Sequence, residues 1–403
     1  MPTTNQASAG SAPLQTDIVI VGGGMAGSAA AAVFGRGEAR VVLVDQHSPY
    51  PPVLGADKIS GDQIGLLKKL ELFAPMAAAA TPVRQVLNAK YGKTIERRVI
   101  EEYGIHYQTM VETVRARIPE RVERLTGNVM DIGLSEDMQK VSLTDGREIK
   151  ARLVVLASGF NDALRSKAGI SRKLLTANHS LTIAFDLKPR PQETFELPSL
   201  TYYGDRTADA IDYISIFPLG EQMRANLFTY RDPRDNWVRD FRRDPQGSIY
   251  GALPGLRKFL PDFEVTGPIQ SRSLDLYTVE NHVRAGIVLI GDASQTSCPA
   301  LGTGLSHLLT DIERLHSVYL RDWLASPGMG AQKIAQFYAD EVKRATDANA
   351  MHGANYRRAA STQSSWGWEL HRRQVYWRGR LRGFVQKINP FDPVRLSQAA
   401  SQS

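Results

Sequence analysis

The sequence predicts an α/β protein in three parts. A domain on a parallel sheet carries an inserted, mostly antiparallel β-sheet and ends in a helical C-terminal segment. Three observations carry this reading. Asp17–Asp45 reads strand, glycine turn, helix, strand and acid. Continuous apolar runs recur far downstream at Leu153–Leu156 and Gly286–Ile290, as in parallel strands buried on both faces. Between them, 181–187, 199–203, 212–217 and 223–230 are rich in Ile, Tyr, Phe and Thr and are separated by turn residues, the pattern of antiparallel strands.

The first thirteen residues are uncharged and rich in Ser, Ala, Thr and Pro, so a disordered tail is expected rather than a signal peptide. Ile18–Val21 is too short for a helix and β-branched, hence a buried strand. Gly22, Gly24 and Gly27 follow at GxGxxG spacing around Met25 and Ala26, and the Ala-rich run Ser28–Phe34 favours helix. Val41–Val44 is a second strand, ending on Asp45. In this Rossmann-like order Gly22 permits the tight turn, Gly24 lets backbone N–H groups approach a pyrophosphate, and Gly27 lets helix and strand pack closely. The helix N-terminus offers partial positive charge to the anion. Asp45 stands where a carboxylate accepts both hydroxyls of an adenosine ribose.

Residues 46–64 are loop-like, Ile64–Phe73 reads as an amphipathic helix, and 74–81 is small and irregular. Residues 84–100 alternate without a clean period and fit strand or helix. Met110–Ile118 carries a helical stripe. Short strands follow around 128–133, 140–143 and 148–156, with a hairpin signal at Thr144-Asp145-Gly146. After the inserted sheet, Gly286–Ile290 runs into a glycine-bearing loop and a long helix, and 331–350 is again helical. The parts are placed at 1–13 (tail), 14–180 and 271–326 (dinucleotide-binding domain), 181–270 (inserted substrate domain) and 327–403 (helical C-terminal segment with a basic amphipathic helix).

With 403 residues and 42% hydrophobic content the chain can bury a large core. A single cysteine, Cys298, excludes an internal disulfide framework and fits a reducing, cytoplasmic setting. No apolar run is long enough to span a bilayer. The net charge of +7 belongs to the C-terminal segment. No nucleic-acid-binding motif accompanies it, so nucleic acid is not expected as a partner. No metal site is expected.

Three separated motifs, in order from about Asp17 to about Leu315, resemble the class A FAD-dependent monooxygenases of the para-hydroxybenzoate hydroxylase superfamily. The first is Gly22–Gly27 with Asp45. The second is Ala151–Arg165, ARLVVLASGFNDALR, resembling the family's strand-plus-"DG" stretch at Ser158 and Gly159. The third is Gly291-Asp292 with Pro299, Gly302, Thr303 and Gly304, resembling the "GD" stretch whose Asp hydrogen-bonds the flavin ribityl chain. Pro299 is expected beside the isoalloxazine. Two weaker matches point to Lys58, near the FAD phosphate or isoalloxazine, and to Gln108, on the ribityl chain. The alternatives are a solvated loop lysine and a surface polar group. Two departures stand out: Ser158 replaces the "DG" Asp, and Gln295 replaces a His common after the "GD" motif.

The resemblance implies non-covalent FAD, with NAD(P)H as a transient co-substrate, since a single GxGxxG leaves no separate NAD(P)H domain. It implies hydroxylation or epoxidation of a hydrophobic or aromatic small molecule with O2 through a C4a-hydroperoxyflavin, in a site that excludes water. Tyr213-Ile-Ser-Ile-Phe217-Pro218 is the leading candidate for the substrate wall, with Tyr202, Asn226 and Phe228. Alternation puts Tyr213, Ser215 and Phe217 on one face and Ile214 and Ile216 on the other. The alternative is ordinary sheet core. No side chain is assigned as a catalyst. His179 and Tyr202 are chemically able bases, but a His at a domain boundary is more often structural, and Cys298 reads as a packed small hydrophobe. A flavin-dependent reductase or halogenase on the same scaffold is the alternative, and a non-catalytic flavin-binding protein a minor one. The reductases share an aromatic-x-x-x-Phe-Pro stretch that Tyr213–Pro218 partly echoes. The halogenase WxWxIP is not matched by Trp366-Gly367-Trp368.

In the C-terminal segment Trp366, Leu370, Trp377, Leu381, Phe384 and Ile388 fall on one helical stripe. Arg372, Arg373, Arg378, Arg380, Arg382 and Lys387 occupy the remaining arc. Two readings stand: a helix lying in a membrane interface, or a stripe packed on the protein itself or on a second subunit in a homodimer.

Overall fold

In the computed structural model, residues 12–388 are described, the side chains of Lys387 and Ile388 excepted. The expected tail up to residue 11, and Pro390 and Pro393 beyond the last helix, lie outside the described residues. The strands are numbered in chain order. The first sheet holds β1 (Leu14–Val21), β2 (Val41–Asp45), β6 (Glu123–Thr126), β7 (Val129–Gly133), β8 (Gln139–Leu143), β9 (Glu148–Leu156) and β15 (Ile287–Leu289). β6, β2, β1, β9 and β15 run parallel, and β7 and β8 add an antiparallel edge. Ile18 and Ile20 enter one core and Val19 and Val21 another across the sheet, which is why the run carries no polar alternation. The helix Met25–Phe34 covers one face.

The second sheet holds β3 (Lys58–Ser60), β4 (Thr81–Lys90), β5 (Lys93–Gly104), β10 (Ser171–Pro189), β11 (Leu200–Tyr203), β12 (Ile211–Leu219), β13 (Gln222–Thr229) and β14 (Phe263–Glu280). Its order is β14-β10-β13-β12-β11-β4-β5-β3. Every pairing is antiparallel except β11 with β4.

The structure departs from the sequence reading in three places. The sheet is not drawn from one insertion: β3, β4 and β5 come from before residue 105, and the boundaries at 180/181 and 270/271 fall inside β10 and β14. The ambiguous stretch 84–100 is a β-hairpin. Its second strand is exposed through Arg97–Val99, so no period-two pattern marks it. The helix expected over Ile64–Phe73 is Asp62–Lys69, and Phe73–Ala78, mostly inside the stretch 74–81 expected to be irregular, is a second short helix closed over Met76.

One face of the second sheet packs against Asn236–Ala252, burying Phe185, Leu227, Phe241 and Ile249. The other faces the first sheet. The described residues close with the helices Glu341–Thr362 and Trp366–Ile388.

Candidate active site

A cleft of about 500 Å³ opens between the C-terminal ends of β1, β2 and β9 and the inner face of the second sheet, where open α/β sheets bind ligands. Its nucleotide end is made of backbone. Gly22 sits at φ +105°, and a Cβ there would lie 2.5 Å from the Ala157 carbonyl oxygen. At Gly27 a Cβ would lie 1.7 Å from the Gly22 carbonyl oxygen. Gly27 therefore lies behind the cleft, under the turn, while Gly22, Gly24, Met25 and Ala26 line it. Gly24 caps the helix N-terminus, whose first turn carries no acidic side chain.

Asp45 lines the cleft at the end of β2. Arg115, on the helix Tyr107–Arg115, pairs with its carboxylate. The same guanidinium donates to the Gly23 carbonyl at 2.6 and 3.1 Å and to the His47 carbonyl at 3.0 Å, tying turn, acid and following loop together. The sequence reading missed Arg115. Its one signal is a cation closing a helix whose Met110, Val111 and Val114 are buried.

The expected flavin residues are dispersed around the middle of the cleft. Ser158, Gly159, Asp292, Pro299, Gly302 and Gly304 line it. The hydroxyls of Ser158 and Thr303 are buried without a partner. Burial raises the Asp292 carboxyl above its usual range, while His307, Arg272 and Arg165 act the other way. Gly291 lies behind the lining and donates its N–H to Asp311 at 2.9 Å. Asp311 in turn accepts from buried Lys343 at 2.7 Å, and Lys343 also meets Asp347 at 3.3 Å. Burial alone would lower the Lys343 ammonium, but the two carboxylates hold it above the usual lysine range. His307, Asp311 and Asp347 converge as metal ligands would, but the Lys343 ammonium already supplies their counter-charge.

Buried Arg165 joins the second and third motifs. It donates to Gly159 O at 2.9 Å and to the Tyr277 hydroxyl at 3.1 Å. Tyr277 donates to Asp292 O at 2.7 Å.

Lys58 lines the cleft, but its ammonium pairs with Glu102 at 2.7 Å and lies 5.4 Å from the Phe217 ring centre. Gln108 is not placed in the cleft; its amide donates to Tyr50 O at 2.8 Å and braces the loop above the glycine turn. Asp57, which the sequence reading missed, lines the cleft and is anchored to the second sheet by Arg224 at 2.9 Å.

The far end of the cleft is made of side chains. Tyr213, Ser215, Phe217, Asn226, Phe228 and Thr182 line it, with Arg272 and Leu274 from β14. Ile214 and Ile216 point into the opposite core. Tyr213 and Phe228 rings lie 4.7 Å apart, and the Tyr213 hydroxyl donates to Ala300 O at 2.8 Å. The amide oxygen of Asn226 and the hydroxyl of Thr182 are buried without a partner.

Tyr202 and Pro218 are not in this wall. Tyr202 pairs with Ile214 across β11 and β12, and directly opposed residues share a face. It is therefore buried in the core behind the sheet, its hydroxyl accepting from Gly92 N and donating to Asp205. Pro218 follows cleft-facing Phe217 and turns away. His179 is buried edge-on to Tyr230, outside the cleft. Cys298 packs in a small cluster with Tyr230, Leu276, Ala300 and Ala354, where burial raises its thiol.

A family model described as a FAD binding domain matches residues 15–319. The chain belongs to this family. It is a FAD-dependent oxidoreductase by family, with the fold that class A flavin monooxygenases share. The flavoprotein is 24% identical over 324 residues to 3-demethoxyubiquinol 3-hydroxylase of Escherichia coli K12, covering 75% of this chain and 79% of that protein. It is 22% identical over 320 residues to digeranylgeranylglycerophospholipid reductase 1 of Methanococcoides burtonii, 73% and 72% of the two chains. Its fold is similar to that of p-nitrophenol 4-monooxygenase PnpA from Pseudomonas putida DLL-E4, with TM-score 0.74 at 17% identity over 92% and 94% of the chains. The flavoprotein's own residues fit the cofactor: a glycine cradle at a helix N-terminus, an acid at the end of β2, and the orphan hydroxyl of Ser158 on the lining; Thr303 lies behind it. Among the described residues no helix is long and apolar enough to cross a membrane.

Proposed function

We propose that this flavoprotein is a monooxygenase that uses NAD(P)H and O2 to hydroxylate or epoxidise a hydrophobic or aromatic small molecule. One observation supports this most. The far end of the cleft is an apolar wall of Tyr213, Phe217 and Phe228 with a few convergent polar atoms, those of Asn226, Thr182 and Ser215, the make-up of a small-molecule site.

FAD, when bound, supplies the redox and oxygen chemistry, and the protein supplies position, field and dryness. The aromatic wall excludes water from the reacting end. Asn226 and Thr182 offer unsatisfied polar atoms whose burial is costly until a ligand group meets them, so they orient the substrate. Tyr213 does not serve as a base: burial holds its phenol protonated and its proton is committed to Ala300 O. NAD(P)H has no domain of its own and meets the flavin from the open side of the cleft.

The test measures NAD(P)H oxidation and O2 uptake with a panel of phenols and apolar alkenes, using isotopically labelled O2. Substrate-dependent uptake with label in the product is expected. Consumption of an alkene with no label and a reduced double bond overturns the reading in favour of a reductase.

A further inference from the structure

The C-terminal helix Trp366–Ile388 rests on the β4–β5 hairpin through a narrow face. Gly379 and Gly383, one turn apart, meet Ile95: an added Cβ would lie 2.5 Å from its side chain at Gly379 and 2.1 Å from its carbonyl oxygen at Gly383. Arg380 donates to Thr94 O, and the Tyr376 ring lies 5.5 Å from Tyr91. The glycines that weaken an isolated helix here permit close approach of two backbones. This docking fixes which way the helix turns. The apolar stripe, read as either membrane-facing or packed on protein, points away from it: Trp366, Trp377, Leu381 and Phe384 are 77%, 66%, 64% and 60% exposed. No described part of the chain covers them.

We propose that this stripe seats the flavoprotein on an anionic membrane surface, the helix lying in the plane of the headgroups. The charge around it selects the occupant. The helix carries six cations and one acid, Glu369. Arg373, Arg378 and Arg382 are exposed beside the stripe, and the supporting strand adds exposed Lys93, Arg97 and Arg98. A second copy related by a two-fold axis would set this patch against itself, cation against cation. An anionic bilayer meets both needs, with acyl chains for the stripe and headgroups for the arginines. Trp366 and Trp377 on the apolar run suit the interface, where the ring is apolar and its N–H is wet. The helix does not cross the bilayer; it lies along it for about 35 Å, at about 1.5 Å per residue.

The experiment is flotation of the full-length, flavin-loaded protein with two vesicle types: equal parts phosphatidylglycerol and phosphatidylcholine, or phosphatidylcholine alone. Flotation with the anionic vesicles only, weakened by salt, is expected. Trp377→Ser/Leu381→Ser/Phe384→Ser alters only exposed positions. It should keep its flavin and abolish flotation. Arg373→Glu/Arg378→Glu should lower the partition coefficient on the order of tenfold or more. Absence of flotation with either vesicle overturns the proposal. Equal flotation with both removes its electrostatic part. Concentration-dependent dimerisation in ultracentrifugation, lost in the serine variant and without vesicle binding, assigns the stripe to a second copy instead.

Discussion

The two ends of the cleft are built by different means. At the nucleotide end the ligand-facing surface is backbone: the Gly22–Ala26 turn, the strand ends and one acid held by Arg115. At the other end it is side chain, presented by strands of the second sheet that arrive from distant parts of the sequence. The nucleotide end tolerates almost no volume, whereas the wall can change shape and keep its fold.

The sharpest way to break this contrast is Gly27→Val. With 1.7 Å between a Cβ and the Gly22 carbonyl oxygen, nothing flexible can give, so the turn or the helix must move. The expected loss is about 3 kcal/mol or more of stability, with no flavin recovered on the soluble protein, read by flavin-to-protein ratio and thermal unfolding. Phe217→Leu, in the wall, should cost less than about 1.5 kcal/mol and keep the flavin. Equal flavin loss in both variants would erase the distinction. Next in size is Asp292→Ala, which removes the cleft-lining carboxylate that the resemblance assigns to a charge-assisted hydrogen bond with the flavin ribityl chain. FAD affinity should fall by about one to two decades, or about 1.5–3 kcal/mol. An unchanged dissociation constant by flavin fluorescence rules out Asp292 as a holding group.

The same contrast explains what could be read from the sequence. Gly22, Gly24, Asp45 and the runs at Leu153–Leu156 and Gly286–Ile290 were legible because a tight turn and a doubly buried strand restrict residue type directly. Alternation also placed Tyr213, Ser215 and Phe217 on one face, since it is a property of one strand. Tyr202 failed because its face depends on register with β12, which no local pattern encodes. Arg115, Arg165 and Lys343 were missed for a related reason: each acts on a partner more than 30 residues away or through a carbonyl, so it looks like any surface cation. The hairpin β4–β5 was illegible because its outer strand is exposed over much of its length.

Behind the wall the contrast takes the form of a pH dependence. His179 is buried beside Tyr230 without a well-formed hydrogen bond, and burial first, then Arg358, lowers its pKa from 6.5 to about 4. The fold therefore favours the neutral ring. Its stabilisation is complete above about pH 6.5, the ordinary value, and is lost as pH falls towards 4. The slope is at most about 1.4 kcal/mol per pH unit. Asp57 and Asp292, whose carboxyls burial raises, act in the opposite sense. The informative quantity is thus the difference between wild type and His179→Phe in urea midpoint from pH 7.5 to 5. The variant should lose less stability on acidification, and parallel curves would show that His179 titrates normally.

The smallest expected effect lies where the two ends meet, at Ser158. The serine hydroxyl is buried and unpartnered, in a position where the resembling family carries a carboxylate. Reduction by NAD(P)H without substrate should therefore be slow, because one group that holds the reactive geometry is missing. Ser158→Asp supplies it. Arg165, which already donates to Gly159 O and is buried, provides a nearby cation, so the new carboxylate need not stay neutral. One added hydrogen bond of about 1 kcal/mol corresponds to about a fivefold faster reduction in stopped flow. Ser158→Ala, which adds no acceptor, should leave the rate unchanged within that range and so serves as the control. Fast, substrate-independent reduction of the wild type would show that serine suffices here. A slower Asp variant with intact flavin loading would mean that the charge itself, rather than its absence, impedes hydride transfer.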